Sequence, residues 1–408
     1  MRKRYALILP AAVLAVSLSA QNSWEKKTSF GDKRARAVAF SIGTRGYLAT
    51  GEDTADAEKN DLWEYDPGTD SWTQKASLPA TGRRDAVGFS IGNKGYVGTG
   101  IDASEAFLGN TLDDFWEYSP QTNAWTQKAP YPGNFGYGIY FATAFTANGK
   151  GYVCCGKIGA SNYSQELWEF NPSTNSWTQK AFFPGGVRYG QMSFSLNGKG
   201  YVGCGTDENW FTNDFWEYNP VSDTWTQKAD FPGSKRSFGT AFSIGQKGYM
   251  GLGTDGGYSN DLFEYDPIDN SWAVKASYGG EGRRSAPSFV LTGAAYVMTG
   301  KGTSGKHRDN WEYQPYVTGI DESETVAATV FPDPASDYLC FSSGNDFSGS
   351  GNMTIAVFSA DGREVLTAKK AAAPDCRIDV SGLAAGMYSW IITSESGKTA
   401  NGKFEIQR

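Results

Sequence analysis

The chain has 408 residues, of which 50 are glycine and 14% are aromatic, with a single histidine, His307, and a formal net charge of −7. The aromatic content excludes a disordered chain, and this much glycine excludes a helical bundle, so the composition favours an all-β protein rich in turns. One histidine excludes any site that needs two imidazoles from one chain. An acidic chain without a basic block is a poor partner for nucleic acids and for anionic membrane surfaces.

Residues 1–20 have the pattern of a secretory signal peptide. Three basic residues, Arg2, Lys3 and Arg4, precede an apolar run over Ala6–Leu18, which is too short to span a bilayer. Small residues end the segment, so we expect cleavage after Ala20 and an exported mature chain. A membrane anchor is the alternative, and the sequence holds no second apolar span to support it.

The middle of the chain is built from an internal repeat. Eleven of the 13 tryptophans occupy two recurring positions, and only Trp210 and Trp390 lie outside them. The first position opens a Trp-Glu-Tyr triplet or a close variant, at Trp63, Trp116, Trp168, Trp216, Phe263 and Trp311. The second position holds Trp24, Trp72, Trp125, Trp177, Trp225 and Trp272. The triplets are 47 to 53 residues apart, which is the period of a propeller blade.

Each repeat reads as four short strands, here called A to D. In the first repeat they cover Ala35–Ile42, Gly46–Gly51, Asp61–Asp66 and Ser71–Ala76. The A–B links are rich in glycine and suit tight hairpins, and the C–D links pair proline with a following Asn or Asp, which suits a turn. Four antiparallel strands in about 50 residues predict one blade of a β-propeller.

The ends of the repeat region predict how the ring closes. The mature chain begins with a lone D strand around Trp24, and the last repeat, from Arg284 to Pro315, has strands A to C without a D strand. The N-terminal strand therefore fits the vacant position and leaves no open edge. We predict a six-bladed propeller over residues 21–315, closed by its N-terminal strand.

These repeats resemble the kelch family. The resemblance rests on the Gly-Tyr-Val run of strand B, the Trp-Glu-Tyr of strand C, the Trp of strand D and the Arg before strand A, over about 290 residues. Kelch strand B usually ends in paired glycines, whereas here it ends in pairs such as Thr50-Gly51 and Cys155-Gly156. This departure indicates a divergent branch of the family with the same fold.

Residues 316–408 lack the repeat and predict a linker over 316–328 followed by a small β-sandwich over 329–408. The second segment resembles the type A sorting domain of the type IX secretion system of Bacteroidetes, on the residues Phe331–Asp337, Asp361-Gly362 and Leu383–Tyr388. The resemblance implies contact with the secretion machinery and delivery to the cell surface or the medium. A generic sugar-binding or adhesive sandwich is the alternative.

The five cysteines are too few for a disulfide scaffold, and no CxxC or His-containing cluster supports a zinc site. Cys155 and Cys204 stand where other repeats have threonine, so we expect small buried side chains there. Cys340 and Cys376 lie in two predicted strands of the C-terminal segment, and the sequence leaves open whether they pair. We therefore expect no metal and no cofactor.

Residues that recur in every repeat are expected to serve the fold, and residues on the partner face that break the repeat are candidates for function. An acid before strand C recurs with an Arg before strand A, where Ile139 is the exception, and we interpret these groups as structural. Strand order brings the D–A and B–C loops to one face, which usually binds the partner in kelch proteins. Candidates on that face are Arg36, Asp85, Phe107, Phe135, Tyr137, Tyr140, Tyr163, Trp210, Phe211, Tyr258 and His307.

Aromatic side chains on that face stack on sugar rings or peptide side chains, or else pack within their own loops. The favoured hypothesis is an exported, monomeric module that binds a glycan or a protein. The alternative is a carbohydrate-active enzyme that resembles the six-bladed kelch mutarotases and epimerases, which need only acid, base and Arg groups. Kelch-like copper oxidases use two His, so one His disfavours that chemistry. A scaffold for surface assembly is the third hypothesis.

Overall fold

The computed structural model describes residues 22–102, 110–133, 137–159, 162–207, 209–315, 329–342, 352–359, 364–371, 375–394 and 399–408. The predicted signal peptide and linker lie outside these residues. The described residues form strands and no helix, and they divide into two compact units, one ending at Pro315 and one after it. The prediction of an all-β fold is confirmed.

The described residues of the first unit form 29 strands. They are β1 (Ser23–Lys27), β2 (Val38–Ile42), β3 (Arg45–Ala49), β4 (Leu62–Asp66), β5 (Ser71–Lys75), β6 (Val87–Ile91), β7 (Lys94–Gly98), β8 (Ile101–Asp102), β9 (Asn110–Thr111), β10 (Phe115–Ser119), β11 (Ala124–Lys128), β12 (Thr143–Ala147), β13 (Lys150–Ile158), β14 (Asn162–Asn171), β15 (Ser176–Lys180), β16 (Met192–Leu196), β17 (Lys199–Gly203), β18 (Phe215–Asn219), β19 (Thr224–Gln227), β20 (Thr240–Ile244), β21 (Lys247–Gly251), β22 (Leu262–Asp266), β23 (Ser271–Lys275), β24 (Arg283–Arg284), β25 (Ser288–Leu291), β26 (Ala294–Met298), β27 (Lys301–Gly302), β28 (Gly305–Lys306) and β29 (Asn310–Gln314).

Most of these strands form six four-stranded antiparallel sheets within residues 22–315, here called blades 1 to 6. In order from the inner strand outward the blades are β2-β3-β4-β5, β6-β7-β10-β11, β12-β13-β14-β15, β16-β17-β18-β19, β20-β21-β22-β23 and β25-β26-β29-β1. Each inner strand lies beside the inner strand of the next blade, and β25 lies beside β2. The sheets therefore form a closed ring around a central channel, as a propeller requires.

The strand-B glycines are explained by the packing of one blade on the next. A Cβ on Gly95 would clash with the ring of Phe40, which projects from the inner strand of the preceding blade. Gly151 has the same relation to Phe89, and Gly200 to Phe145. The recurring Gly-Tyr-Val run therefore places glycine where a neighbouring aromatic ring needs the space.

The N-terminal strand completes blade 6. β1 pairs with β29 in antiparallel register, with Trp24 opposite Tyr313. The indole Nε1 of Trp24 donates to the carbonyl of Ala276 at 3.0 Å, and Nε1 of Trp72 donates to Thr28 just after β1 at 3.1 Å. Each D-strand tryptophan makes this same bond to the preceding blade, so β1 takes part in the ring as an ordinary fourth strand.

A partly buried ionic group recurs in all six blades and connects strands B, C and D. A strand-B tyrosine hydroxyl donates to a strand-C glutamate at 2.5–2.9 Å, and a strand-D lysine lies 2.8–3.7 Å from the same carboxylate. The groups are Tyr47–Glu64–Lys75, Tyr96–Glu117–Lys128, Tyr152–Glu169–Lys180, Tyr201–Glu217–Lys228, Tyr249–Glu264–Lys275 and Tyr296–Glu312–Lys27. Lys27 of β1 supplies the lysine of blade 6.

The recurring Arg and acid fix the loops, as interpreted from the sequence. Arg34 lies 2.5 Å from Asp61 and also donates to the carbonyl of Thr50 at 2.9 Å, and Asp61 accepts the indole N–H of Trp63 at 2.8 Å. The pairs Arg83–Asp114, Arg188–Asp214, Arg236–Asp261 and Arg283–Asp309 repeat this arrangement. In blade 3 the Arg is replaced by buried Ile139.

The second unit contains β30 (Thr329–Phe331), β31 (Tyr338–Ser342), β32 (Asn352–Ser359), β33 (Glu364–Ala371), β34 (Asp375–Asp379), β35 (Gly386–Ser394) and β36 (Thr399–Ile406). They form two antiparallel sheets, β30-β31-β34 and β33-β32-β35-β36. Buried side chains of both sheets form one core, including Phe341, Ile355, Trp390 and Phe404.

Cys340 and Cys376 are unpaired in this unit. Cys340 lies opposite Arg377 across the two strands, whereas Cys376 lies opposite buried Phe341. Because successive residues of a strand point to opposite faces, the two thiols lie on different faces of the sheet. The pairing that the sequence left open is therefore excluded by the register.

The role of β1 gives a testable prediction. Trp24→Ala removes ring contacts at 4.9 Å to both Tyr278 and Tyr313 and the bond to Ala276, so we expect the free energy of unfolding to fall by about 3 kcal/mol. Val274→Ala, on the 75% exposed side chain of β23, is the control and should change it by less than about 0.5 kcal/mol. Equal thermal melting curves for the two variants would contradict closure by β1.

Candidate functional site

The D–A and B–C loops meet on one face of the propeller through a short ladder that recurs in every blade. Each rung joins the residue after the recurring Arg position to a residue just beyond strand B. The pairs are Ala35–Glu52, Arg84–Ile101, Tyr140–Lys157, Tyr189–Thr206, Ser237–Thr254 and Arg284–Lys301. This arrangement brings loop side chains from all six blades around the mouth of the channel.

One residue of each blade forms a closed ring of main-chain hydrogen bonds at this mouth. The members of this mouth ring have φ between 52° and 67°, and each N–H donates to the carbonyl of the preceding member at 2.8–3.3 Å. The mouth ring is Arg36, Asp85, Phe141, Gly190, Phe238 and Ser285. The backbone is therefore the same in every blade, while the side chains differ, apart from the two phenylalanines Phe141 and Phe238.

The mouth ring and its neighbours divide into a charged half and an aromatic half. The charged half lies on blades 6, 1 and 2. Arg36 lies 3.4 Å from Asp85, and Arg84 lies 2.7 Å from Glu58 and 3.2 Å from Glu52. Burial raises the pKa of Asp85 to about 7, although the nearby guanidinium groups of Arg36 and Arg84 lower it. This carboxyl therefore titrates near neutral pH.

The aromatic half lies on blades 3 to 5. The ring of Phe141 lies 4.7 Å from Phe238, 4.9 Å from Tyr140 and 5.6 Å from Tyr189. Tyr163 stacks on Tyr189 at 5.4 Å. Arg36 lies over Phe141, so the two halves meet in a cation–π contact at 5.4 Å.

Two cavities open on this face. The mouth cavity, of about 160 Å³, is lined by the mouth ring and by the residues that follow it, including Gln191. The side groove, of about 400 Å³, lies over blades 4 to 6 and is lined by the aromatic residues Tyr189, Phe211, Phe238 and Tyr258 together with Arg284. Phe238 lines both cavities. The groove falls within the size range of small-molecule sites.

The structure brings six of the predicted candidates to these features. Arg36 and Asp85 line the mouth cavity, Phe211 and Tyr258 line the side groove, and Tyr140 and Tyr163 belong to the aromatic half. Tyr137 and Trp210 are 67% and 75% exposed and line neither cavity. Phe107 and Phe135 lie outside the described residues.

His307 takes part in the contact between blades 6 and 1. Its carbonyl accepts the N–H of Arg34 at 2.8 Å, and its Nε2 lies 3.3 Å from Glu281. Burial lowers the pKa of His307 below its usual value. It lines neither cavity, so its position supports a role in the packing of the loops.

Sequence reasoning missed the aromatic, amide and guanidinium side chains of five residues that line these cavities: Phe141, Tyr189, Gln191, Phe238 and Arg284. For Phe141 and Phe238 the sequence signal was their position within the repeat. The second residue after the recurring Arg position, which holds Ile139 in blade 3, belongs to the mouth ring in every blade, but only Arg36 and Asp85 of these six residues were predicted as candidates. Among the described residues, no group of three or more His, Cys, Asp or Glu side chains is placed to hold a metal ion.

Comparison with known proteins agrees with this architecture. Residues 128–300 match the family model described as the KLHDC2/KLHL20/DRC7 Kelch-repeats domain, and residues 329–407 match the model described as the secretion system C-terminal sorting domain. The chain is a kelch-repeat propeller with a C-terminal sorting domain. The sorting domain indicates export by type IX secretion to the cell surface or the extracellular space.

A solved structure titled "Structure of YjhT" is similar to the kelch propeller, with a TM-score of 0.61 and 17% sequence identity over 70% of this chain and 95% of that one. At this identity the likeness shows the fold alone. No curated protein matches the chain. In the part of the chain that the structure describes, no helix is long and apolar enough to cross a membrane.

The buried carboxyl of Asp85 predicts a pH dependence. Between the usual aspartate pKa and about 7 the folded chain holds a proton that the unfolded chain has released, so the free energy of unfolding falls as the pH rises through this window. We expect the melting temperature of Asp85→Asn, relative to the wild type, to increase between pH 4 and 7 and then to stay level. Val274→Ala, on the exposed side chain of β23, removes no titratable group and should show no such trend.

The repeated tryptophans and Trp210 are expected to differ in how much they contribute to stability. Trp216 donates to Asp214 at 2.7 Å and packs against Phe183, so Trp216→Ala should lower the free energy of unfolding by about 3 kcal/mol. Trp210 is 75% exposed on a loop, so Trp210→Ala should change it by less than about 0.5 kcal/mol. Equal destabilisation in thermal melting curves would mean that Trp210 belongs to the core.

Proposed function

We propose that the kelch propeller is an exported glycan-binding module whose ligand lies in the side groove. The observation that carries the proposal is the collection of half-buried rings around a groove of about 400 Å³, contributed by Tyr189, Phe211, Phe238 and Tyr258. Aromatic faces of this kind stack on the apolar faces of sugar rings. The sorting domain supports this proposal because it indicates delivery to the cell surface or the extracellular space, where the propeller would encounter such a ligand.

The polar groups of the groove suit hydroxyl groups. Arg284 lies over the ring of Phe238 at 5.7 Å, and among the described residues no carboxylate lies within ion-pair distance of it. Its N–H groups are therefore available as donors at the end of the groove, and an Arg in this position orients a ligand by directional hydrogen bonds. A protein ligand would use the same rings and is the other outcome of the test below.

Asp85 supports a second candidate, a sugar mutarotase or epimerase. An acid–base group is most effective when its pKa lies near the working pH, and the pKa of Asp85 is raised to about 7 beside Arg36. The test is NMR observation of anomer interconversion in free aldoses with the wild type and Asp85→Asn. Acceleration by the wild type that is lost in the variant supports the enzyme, and equal rates with and without protein contradict it.

The binding proposal is tested on a glycan array. We expect the propeller to bind a defined group of glycans, and Phe211→Ala and Tyr258→Ala to weaken that binding at least tenfold, or by about 1.4 kcal/mol, because each removes a stacking face. Phe182→Ala is the matched control, since Phe182 is 52% exposed and lines neither cavity.

Two results would contradict this proposal. One is a wild-type propeller that binds no glycan on the array while a protein from the same source binds the groove. The other is glycan binding that persists in both Phe211→Ala and Tyr258→Ala, which would place the ligand elsewhere on the propeller.

A further inference from the structure

A single amide interrupts a ring of small residues just inside the channel mouth. Below each mouth-ring residue the next residue faces the channel, and in five blades it is alanine or glycine. The six positions are Ala37, Ala86, Ala142, Gln191, Gly239 and Ala286. Blade 4 thus has the smallest residue, Gly190, in the mouth ring and the largest one directly beneath it.

Gln191 is buried without the partners that a buried amide needs. Its side chain is 7% exposed, and neither its amide nitrogen nor its amide oxygen has a hydrogen-bond partner among the described residues. It lines both the mouth cavity and the channel segment below it. An unpaired buried amide costs free energy, so a position of this kind indicates a group that binds something else.

Other unpaired groups in the propeller lack this combination. The hydroxyls of Thr50, Thr99 and Thr299 are also unpaired, but they occupy one repeated position and so belong to the blade design. Asn310 is buried and unpaired as well, yet it lies in β29 and lines neither the channel nor the side groove. The unpaired hydroxyl of Ser237 lines the side groove, so Gln191 is distinguished as the unpaired side chain that, among the described residues, faces the mouth cavity and the channel.

From this geometry we infer that the mouth cavity is the subsite for one terminal sugar unit of a neutral glycan, held by the amide of Gln191. The inference rests on the proposed glycan-binding function and extends it to the end of the ligand. At about 160 Å³ the mouth cavity is smaller than typical ligand pockets, so it takes one ring and no further units. The side groove, which shares Phe238 with it, takes the units that follow.

The groups around this subsite match a sugar ring. The Gln191 amide supplies donors and an acceptor together, which suits two neighbouring hydroxyl groups. The cavity lining also contains an acceptor, Asp85, and a donor, Arg36, together with the apolar rings of Phe141 and Phe238. Arg36 lies 3.6 Å from Glu52 as well as 3.4 Å from Asp85, so its charge is compensated within the protein, which favours a neutral unit over an acidic one.

The test uses Gln191→Met, which keeps the length of the side chain and removes both polar groups. We expect its melting temperature to rise by roughly 2 °C, because the unpaired amide is replaced by an apolar group of similar volume. A lower melting temperature would mean that the amide has partners within the protein, and it would overturn the inference. A residue with a purely structural role would give that opposite sign.

Binding is followed by saturation-transfer NMR with free D-glucose, D-galactose, D-mannose and N-acetyl-D-glucosamine as probes. We expect transfer to at least one of them with the wild type, an affinity at least tenfold weaker in Gln191→Met, and unchanged transfer in Phe182→Ala. Absence of transfer to all four, or equal transfer with Gln191→Met, would overturn the subsite.

The array separates this inference from the proposal on which it rests. Glycan binding that is weakened in Phe211→Ala and unchanged in Gln191→Met leaves the groove proposal standing and rejects the terminal subsite. Binding that is unchanged in both variants rejects both. Binding weakened in both, with a raised melting temperature only in Gln191→Met, supports both.

Discussion

The main-chain ring at the channel mouth is the constraint on which the candidate site depends. Six residues adopt positive φ and bond head to tail, Arg36 to Ser285 being the closing bond at 3.3 Å. For residues other than glycine this conformation costs about 1–2 kcal/mol each, and it persists because the hydrogen bonds and the ladders beside it fix the backbone. Because main-chain hydrogen bonds fix the conformation of the mouth ring, its side chains can differ between blades.

The rest of each blade repeats in its side chains as well. The Tyr–Glu–Lys group, the Arg–acid pair and the indole bond to the preceding blade together fix strands B to D and both loops. These groups use side-chain contacts, so they recur nearly unchanged. Blade 3, with Ile139 in place of the Arg, shows that one missing pair is tolerated when five neighbours keep the ring closed.

Repetition also explains how much the sequence predicts. The recurring Trp residues, the Gly before the strand-B tyrosine and the missing last strand each report on packing that occurs six times, so the propeller and the strand that closes it follow from pattern alone. The candidate site is defined by positions that do not recur. Arg36, Asp85, Phe211 and Tyr258 were found because their residue types stood out, whereas Phe141, Phe238 and Gln191 look like ordinary strand residues in the sequence.

Trp210 is the converse case, because it stands out in the sequence but lines neither cavity. It stood out as the one propeller tryptophan outside the repeat. In the structure its side chain is 75% exposed, and its neighbour Phe211 lines the groove instead. Which of two adjacent loop aromatics faces the groove depends on the Asx turn at Asp207, which accepts the N–H groups of Asn209 and Trp210 at 3.0 Å and 2.8 Å. A local bond of this kind sets side-chain direction in a loop, where no strand alternation fixes it.

Residues that lower the stability of the propeller lie at the same cavity that its shape marks as a candidate site. Blade interiors pair their repeated charges closely, whereas one cavity at the mouth is lined by a carboxyl with a raised pKa, Asp85, and by an amide with no partner among the described residues, Gln191. Both residues lower stability where they stand, and neither is required by the repeat, since other blades have small or unrelated residues at those positions. Local conflicts that a fold could have avoided are expected where function is located. Their presence at a cavity that adjoins an aromatic groove is the physical reason for proposing that a ligand is recognised at the mouth of the channel.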